Sequence, residues 1–252
     1  MPPPPLTAGP DESCDLLSKR LRIIQRKKGH RASSDDLLLA WAVLAYAPNA
    51  STMLDLGTGK GTVALLALSV MPRLKATGIE ALAISAALAS RNIRLNGMTD
   101  RFSLIEGDVR EQDLLPSGKR FDVITGAPPF MKVGAGTLPQ DEQRAAGRFE
   151  LRGGVEDYHR TASRKLTLEG RCIVLMDGLN ADRNVRAAQA AGLYPIMQIN
   201  VMPRPGRAPT YSLCVSQKTR APMEVYDWSM RNAEGNTWSA AYTNVRQQLD
   251  LP

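Results

Sequence analysis

The stretch from Thr52 to Val70 constrains the fold more than any other part of the chain. Thr52-Met53-Leu54-Asp55-Leu56 reads as a short apolar strand and Thr62 to Val70 as an apolar helix. Between them lies Gly57-Thr58-Gly59-Lys60-Gly61, a turn rich in the one residue that adopts left-handed backbone freely. A strand passing through such a turn directly into a helix is the opening unit of a parallel α/β sheet that binds ligands at its strand ends. The alternation continues downstream. Strands are expected at Ala76–Ile79, Phe102–Glu106, Phe121–Thr125 and Arg171–Met176, and helices at Ala81–Leu95, Val155–Leu168 and Ala181–Ala191. Ile196–Met202 and Thr210–Ser216 are two further strands, and the short turn between them suits an antiparallel pair. The expected fold is therefore α/β, with seven strands in a mostly parallel sheet, the last strand antiparallel, and helices on both faces.

Residues 1–13 are proline-rich and polar and read as a flexible tail; residues 14–33 read as a basic extension, 34–218 as the main domain and 219–252 as a C-terminal extension packed on it. Ser33 or Ser34 can cap a helix from Leu37 to Ala47 that Pro48 stops. Between Leu16 and Arg31, a short strand or hairpin carries seven basic side chains and no acid, a charge equal to the net +7 of the whole chain. Such charge serves either to protect a solvated sheet edge or to bind a polyanion such as RNA. Arg144, Arg148 and Arg152 carry the same two readings, contact with phosphates or ion pairing with neighbouring acids. Trp228, Trp238 and Tyr242 are expected to pack the last helix onto the domain.

Several classes of function drop out. No apolar run approaches the length of a membrane span. Cys14, Cys172 and Cys214 stand far apart and the only histidines are His30 and His159, so neither a disulfide framework nor a metal centre is expected. The start of the chain lacks the pattern of a secretory leader, and the cytoplasm is the default compartment.

The glycines at 57, 59 and 61 miss the Gly-x-Gly-x-x-Gly spacing of dinucleotide sites, and no Gly-Lys-Ser/Thr phosphate loop follows. Bare backbone at Gly57 and Gly59 instead admits an uncharged nucleoside tail, and Asp55 can accept a hydrogen bond from an ammonium. Glu80, ending the next strand, is placed to bind both hydroxyls of a ribose, and Asp108, after the third, the amine of an adenine. Ammonium, ribose and adenine together describe S-adenosylmethionine. The cofactor set read from these strand ends is Asp55, Leu56, Gly57, Thr58, Gly59, Gly61, Glu80, Asp108, Val109 and Gly126.

In Leu54-Asp55-Leu56-Gly57-Thr58-Gly59-Lys60-Gly61 the chain resembles the class I methyltransferases, whose fold is Rossmann-like. Ile23-Ile24-Gln25, Gly29-His30-Arg31 and Asp35 through Ala40 are similar to the N-terminal segment of the bacterial valine-tRNA adenine-N6 methyltransferases. Arg148 through Tyr158 looks like a segment of their relatives. The resemblance implies methyl transfer to a base amine, adenine N6, in RNA such as tRNA or rRNA. Amino-methylating relatives carry an Asn/Asp-Pro-Pro-Tyr/Phe motif after the fourth strand, whose acceptors orient the amine while the aromatic ring stacks on the base. Here the motif is Ala127-Pro128-Pro129-Phe130, the expected catalytic set, in which Ala127 supplies no side-chain acceptor. Two other readings stay open: a methyltransferase acting on protein or a small molecule, and a noncatalytic assembly factor that binds cofactor and RNA.

Overall fold

The computed structural model describes residues 6–252; the first five residues of the proline-rich tail lie outside the described residues. The chain begins with an antiparallel hairpin of β1 (Glu12–Leu16) and β2 (Arg22–Arg26). Glu12, within the segment read as tail, is thus already in a strand, and it is tied to Arg91 at 2.6 Å.

The main sheet is built from β3 (Thr52–Leu56), β4 (Lys75–Glu80), β5 (Phe102–Glu106), β6 (Phe121–Gly126), β7 (Leu166–Asp177), β8 (Tyr194–Met202), β9 (Tyr211–Gln217) and β10 (Glu224–Ser229). Their order across the sheet is β10-β8-β9-β7-β6-β3-β4-β5. Only β9 runs against the others, wedged between β7 and β8. It is the strand expected to be reversed. The count of seven is corrected to eight by β10, which pairs parallel to β8 and makes part of the C-terminal extension an edge of the sheet.

Apolar alternation sorts the helices onto two faces. Met53, Ile173 and Leu213 point to one face, where they meet α1 (Ser34–Tyr46), α2 (Thr62–Val70) and α7 (Ala240–Gln248). Their neighbours Leu54, Val174 and Cys214 point to the other, against α5 (Val155–Lys165) and α6 (Ala181–Ala190). Trp228 of β10 packs edge-on to Trp41 of α1 at 5.9 Å and close to Tyr242 of α7, which seats the C-terminal helix.

Helix α3 (Ala83–Leu95) has a second task. Asn92, fully buried, donates to the Ile24 and Lys60 carbonyls at 3.0 Å each and accepts from the Ile24 N–H at 2.7 Å. One turn on, Asn96 bonds the N–H and carbonyl of Arg22. Two asparagines spaced by four thus act as a partner strand for the open edge of β2, where the backbone groups of Ile24 would otherwise be buried unpaired.

Two local expectations are corrected. The helix expected to reach Leu168 stops at Lys165, because Leu166 already pairs with Phe121 at the start of a long β7. The segment 131–150, whose glycines and arginines read as a connection between β6 and α5, contains α4 (Glu142–Arg148), started by the Asp141 carboxylate accepting from the Arg144 N–H.

Topology places the site. From β3 the chain steps outward to β4 and β5, then returns to β6 on the other side of β3. This reversal leaves a crevice between the carboxyl ends of β3 and β6, the position where open α/β sheets bind ligands.

Candidate functional site

The turn after β3 passes through three left-handed glycines, with φ of +63° at Gly57, +59° at Gly59 and +87° at Gly61. A side chain at any of them would strain the backbone. The turn is pinned by the Thr58 N–H donating to the Ile79 carbonyl at 2.9 Å. Glu80 braces it from the next strand: one carboxylate oxygen accepts from the Gly59 N–H and the other from the Leu82 N–H, both at 2.8 Å. Burial pushes the Glu80 carboxyl up, and these backbone N–H groups oppose the shift.

A cavity opens at the carboxyl ends of β3, β4 and β6. Gly57, Gly59, Glu80, Asp108 and Val109 form one side of it, and Ala127 and Pro129 belong to the same wall. Seven of the fourteen residues expected from sequence are therefore brought together around one space. The other seven do not line it. Leu56 is a core residue, Gly61 precedes α2, and Pro128 is buried. Thr58 is occupied with Asp55, donating its hydroxyl to that carboxylate at 2.6 Å, while Thr125 donates to the second Asp55 oxygen at 2.7 Å. Asp55 is fully enclosed, and burial pushes its carboxyl up to about 6, resisted by these two hydroxyls.

Gly126 acts one step removed. A Cβ there would stand 2.5 Å from Cδ1 of Tyr158, and one at Gly57 would stand 2.3 Å from the Tyr158 hydroxyl. Tyr158, on the first turn of α5, lies across both glycines and forms part of the cavity wall. Its buried phenol is pushed up by burial and then by the nearby carboxylates of Glu80, Asp55 and Asp108. Tyr158 ends the segment Arg148–Tyr158 that resembles one in relatives of the bacterial valine-tRNA adenine-N6 methyltransferases, and it falls within the helix expected from Val155. Nothing in its residue pattern places the ring on glycines at positions 57 and 126.

Asp108 lines the cavity, but both its oxygens are held by Arg110, at 2.9 and 2.7 Å. That guanidinium holds the Asp108 carboxyl below the usual range. Phe130 faces elsewhere. Its half-buried ring contributes to a neighbouring surface depression with Lys132, Leu179 and Arg186.

The cover of the cavity comes from the N-terminal hairpin and α4. Gln143, buried, accepts from the His30 N–H at 3.1 Å and donates to Ser85 at 3.0 Å; Arg26 pairs with Asp141 at 2.7 Å. His30, Gln143 and Gly147 consequently line the same space as the glycine turn. Of the basic residues at 16–31, Arg20, Arg26 and Arg31 form ion pairs, whereas Lys19, Arg22, Lys27 and Lys28 remain exposed to solvent. Arg152 approaches Glu142 at 3.7 Å.

Comparisons with known proteins identify the family and the fold. Residues 35–143 match the methyltransferase small domain family. The chain is 31% identical over 195 residues to a tRNA1(Val) (adenine(37)-N6)-methyltransferase of Bacteroides thetaiotaomicron, covering 76% of this chain and 78% of that one. It is 33% identical over 166 residues to the protein of the same name from Porphyromonas gingivalis, and that match spans 64% of each chain. Among solved structures, a predicted O-methyltransferase from Agrobacterium tumefaciens superposes with a TM-score of 0.69 at 18% identity, covering 86% of this chain and 98% of that one, a likeness of fold.

Proposed function

Because the chain belongs to the family of the tRNA1(Val) (adenine(37)-N6)-methyltransferases, we propose that it methylates a base amine, adenine N6, in RNA, with tRNA as its substrate and S-adenosylmethionine as its cofactor. The observation that carries the reading is the shared wall: Gly57, Gly59 and Glu80 on the cofactor side and Ala127 and Pro129 on the acceptor side border one cavity at the topological switch point. The cavity fits the cofactor in kind. Its glycine turn offers backbone without side chains, and a Cβ at Gly59 would meet nothing within 4 Å, so the space before it is open. Glu80 provides a half-buried carboxylate beside that turn for a ribose.

S-adenosylmethionine supplies, when bound, a methyl group on a sulfonium. The protein's part is alignment, and proximity of correctly oriented groups accounts for much of the rate in such a displacement. Gly57 and Gly59 admit the cofactor tail, Glu80 holds the ribose, and Tyr158 with Val109 closes the wall against water. On the acceptor side, the rigid Pro128-Pro129 turn fixes the backbone of the wall that Ala127 and Pro129 present to the cavity. Phe130 offers its ring to a base arriving from the neighbouring depression, where Lys132 and Arg186 meet flanking phosphates. The enzyme acts in the cytoplasm in this reading; among the described residues no helix is long and apolar enough to cross a membrane.

Ala127 favours a second reading, a cofactor- and RNA-binding factor without activity, since one acceptor for the amine is missing. Labelled methyl transfer separates the two. RNA lacking the modification is expected to take up label from S-adenosylmethionine in the presence of the protein. Cofactor binding without any transfer to RNA would defeat the enzymatic reading. Ala127→Asn restores the acceptor and is expected to raise the rate by about two to three powers of ten; an unchanged rate would show that position 127 does not limit the reaction.

A further inference from the structure

Lys60 is unusual for a lysine. It sits in the glycine turn itself, between Gly59 and Gly61, and only 4% of its surface is exposed. Burying an ammonium is costly without a partner, so a buried lysine ordinarily shows a carboxylate within reach. Among the described residues, Lys60 makes no ion pair, and its backbone carbonyl accepts from the Asn92 amide at 3.0 Å. Its charge is felt by Asp36, on the first turn of α1. That carboxylate already accepts from the Ser33 N–H at 3.1 Å. The same lysine borders the cavity, as does His30, whose ring also feels the positive charge.

A buried cation with no ion-pair partner, set in the turn that faces a cofactor's amino-acid tail, calls for an anion from the ligand. S-adenosylmethionine carries one anionic group, the carboxylate of that tail. We propose that Lys60 is a cofactor-specificity residue whose ammonium binds this carboxylate. The assignment rests on the S-adenosylmethionine reading and deepens it. It leaves Glu80 with the ribose and gives the turn two jobs, steric access at Gly57 and Gly59 and charge recognition at Lys60. Asp55, enclosed by Thr58 and Thr125, does not border the cavity and is not available to select the tail directly.

Binding measurements with three adenosyl compounds test this without any turnover. S-adenosylmethionine has the carboxylate, decarboxylated S-adenosylmethionine lacks it alone, and 5′-methylthioadenosine lacks the whole amino-acid tail. By calorimetry the wild-type protein is expected to bind S-adenosylmethionine about ten- to a hundredfold more tightly than the decarboxylated compound, the range of a charge-assisted hydrogen bond. In Lys60→Met, which keeps length and suits a buried position, that preference is expected to vanish, with binding of 5′-methylthioadenosine unchanged. A wild-type protein that does not discriminate between the first two compounds overturns the assignment whether or not the variant folds. So does a Lys60→Met variant that keeps the preference, or that weakens all three ligands alike, the signature of a lysine serving only Asp36 and the fold. If the wild-type protein binds none of the three, the cofactor reading itself falls, and the role of Lys60 with it.

Discussion

Adding a single methyl group at Gly126 tests how the cavity wall is built. The Gly126→Ala side chain would stand 2.5 Å from Cδ1 and 3.0 Å from Cε1 of Tyr158, well inside contact distance. The ring cannot slide away along the wall, because its hydroxyl already lies where a Cβ of Gly57 would be, at 2.3 Å. Relief therefore requires the start of α5 to shift off the sheet. Overpacking of this kind costs about 1–3 kcal/mol. Gly126 carries no positive φ, so the penalty is steric and belongs to Tyr158 alone. A double-mutant cycle isolates it. Tyr158→Ala is expected to be costly by itself, about 3–5 kcal/mol for loss of a large buried ring. In that background, however, Gly126→Ala should cost almost nothing, giving a coupling of about 1–3 kcal/mol. Urea unfolding followed by circular dichroism provides the four stabilities, read as shifts in midpoint at constant slope. Additivity within about 0.5 kcal/mol would refute the idea that the glycine exists to seat the tyrosine.

Acid stability should report on His159. Its Nε2 lies 2.8 Å from Oδ1 of Asn184, whose amide nitrogen donates to the Val174 carbonyl, so the imidazole donates from Nε2. Burial pushes its pKa down to about 4 from 6.5. The unfolded chain takes up the proton first, so stability from this site is intact above pH 6.5 and is lost as pH falls toward 4, by about 3 kcal/mol in all. His159→Gln is expected to be less sensitive than the wild type across that window in urea titrations at several pH values; parallel curves for the two proteins would contradict it. Asn92→Leu removes the bonds to both Ile24 backbone groups and to the Lys60 carbonyl, and should cost about 3 kcal/mol or more, since each stranded buried group costs about 1–3. Hydrogen exchange at the Ile24 amide should accelerate in that variant, and unchanged protection there would show that the asparagine is not its partner.

The parts of the fold legible in the sequence are those fixed by local pattern. Gly57-Thr58-Gly59-Lys60-Gly61 can be read because only glycine suits three left-handed positions in five, and Leu54 beside Met53 or Val174 beside Ile173 shows a strand buried on both faces. Edge strand β10 escaped because Val225 and Tyr226 remain exposed, so its alternation has no apolar face to announce it. Helix α4 is seven residues long and includes Gly147, so only the four-residue spacing of Arg144 and Arg148 announces it. At the site, Glu80 was legible from its place at a strand end. The engagement of Asp55 with Thr125, seventy residues away, was not, and neither was Tyr158 on Gly126. The turn of Phe130 away from the cavity was equally hidden. These depend on which strands become neighbours, information carried by the whole chain.

The carboxamide of Asn92 makes a single mechanical body of two regions that a boundary at residue 34 would divide. A shortened protein starting at Ser34 would retain all eight strands of the sheet. Yet the amide would be left gripping only the Lys60 carbonyl, Leu38 and its neighbours would lose the apolar lid of Leu21 and Ile23, and the floor beneath the glycine turn would be open to water. The hairpin of β1 and β2 is therefore scaffolding for the pocket, and trimming it as an appendage would remove part of its foundation.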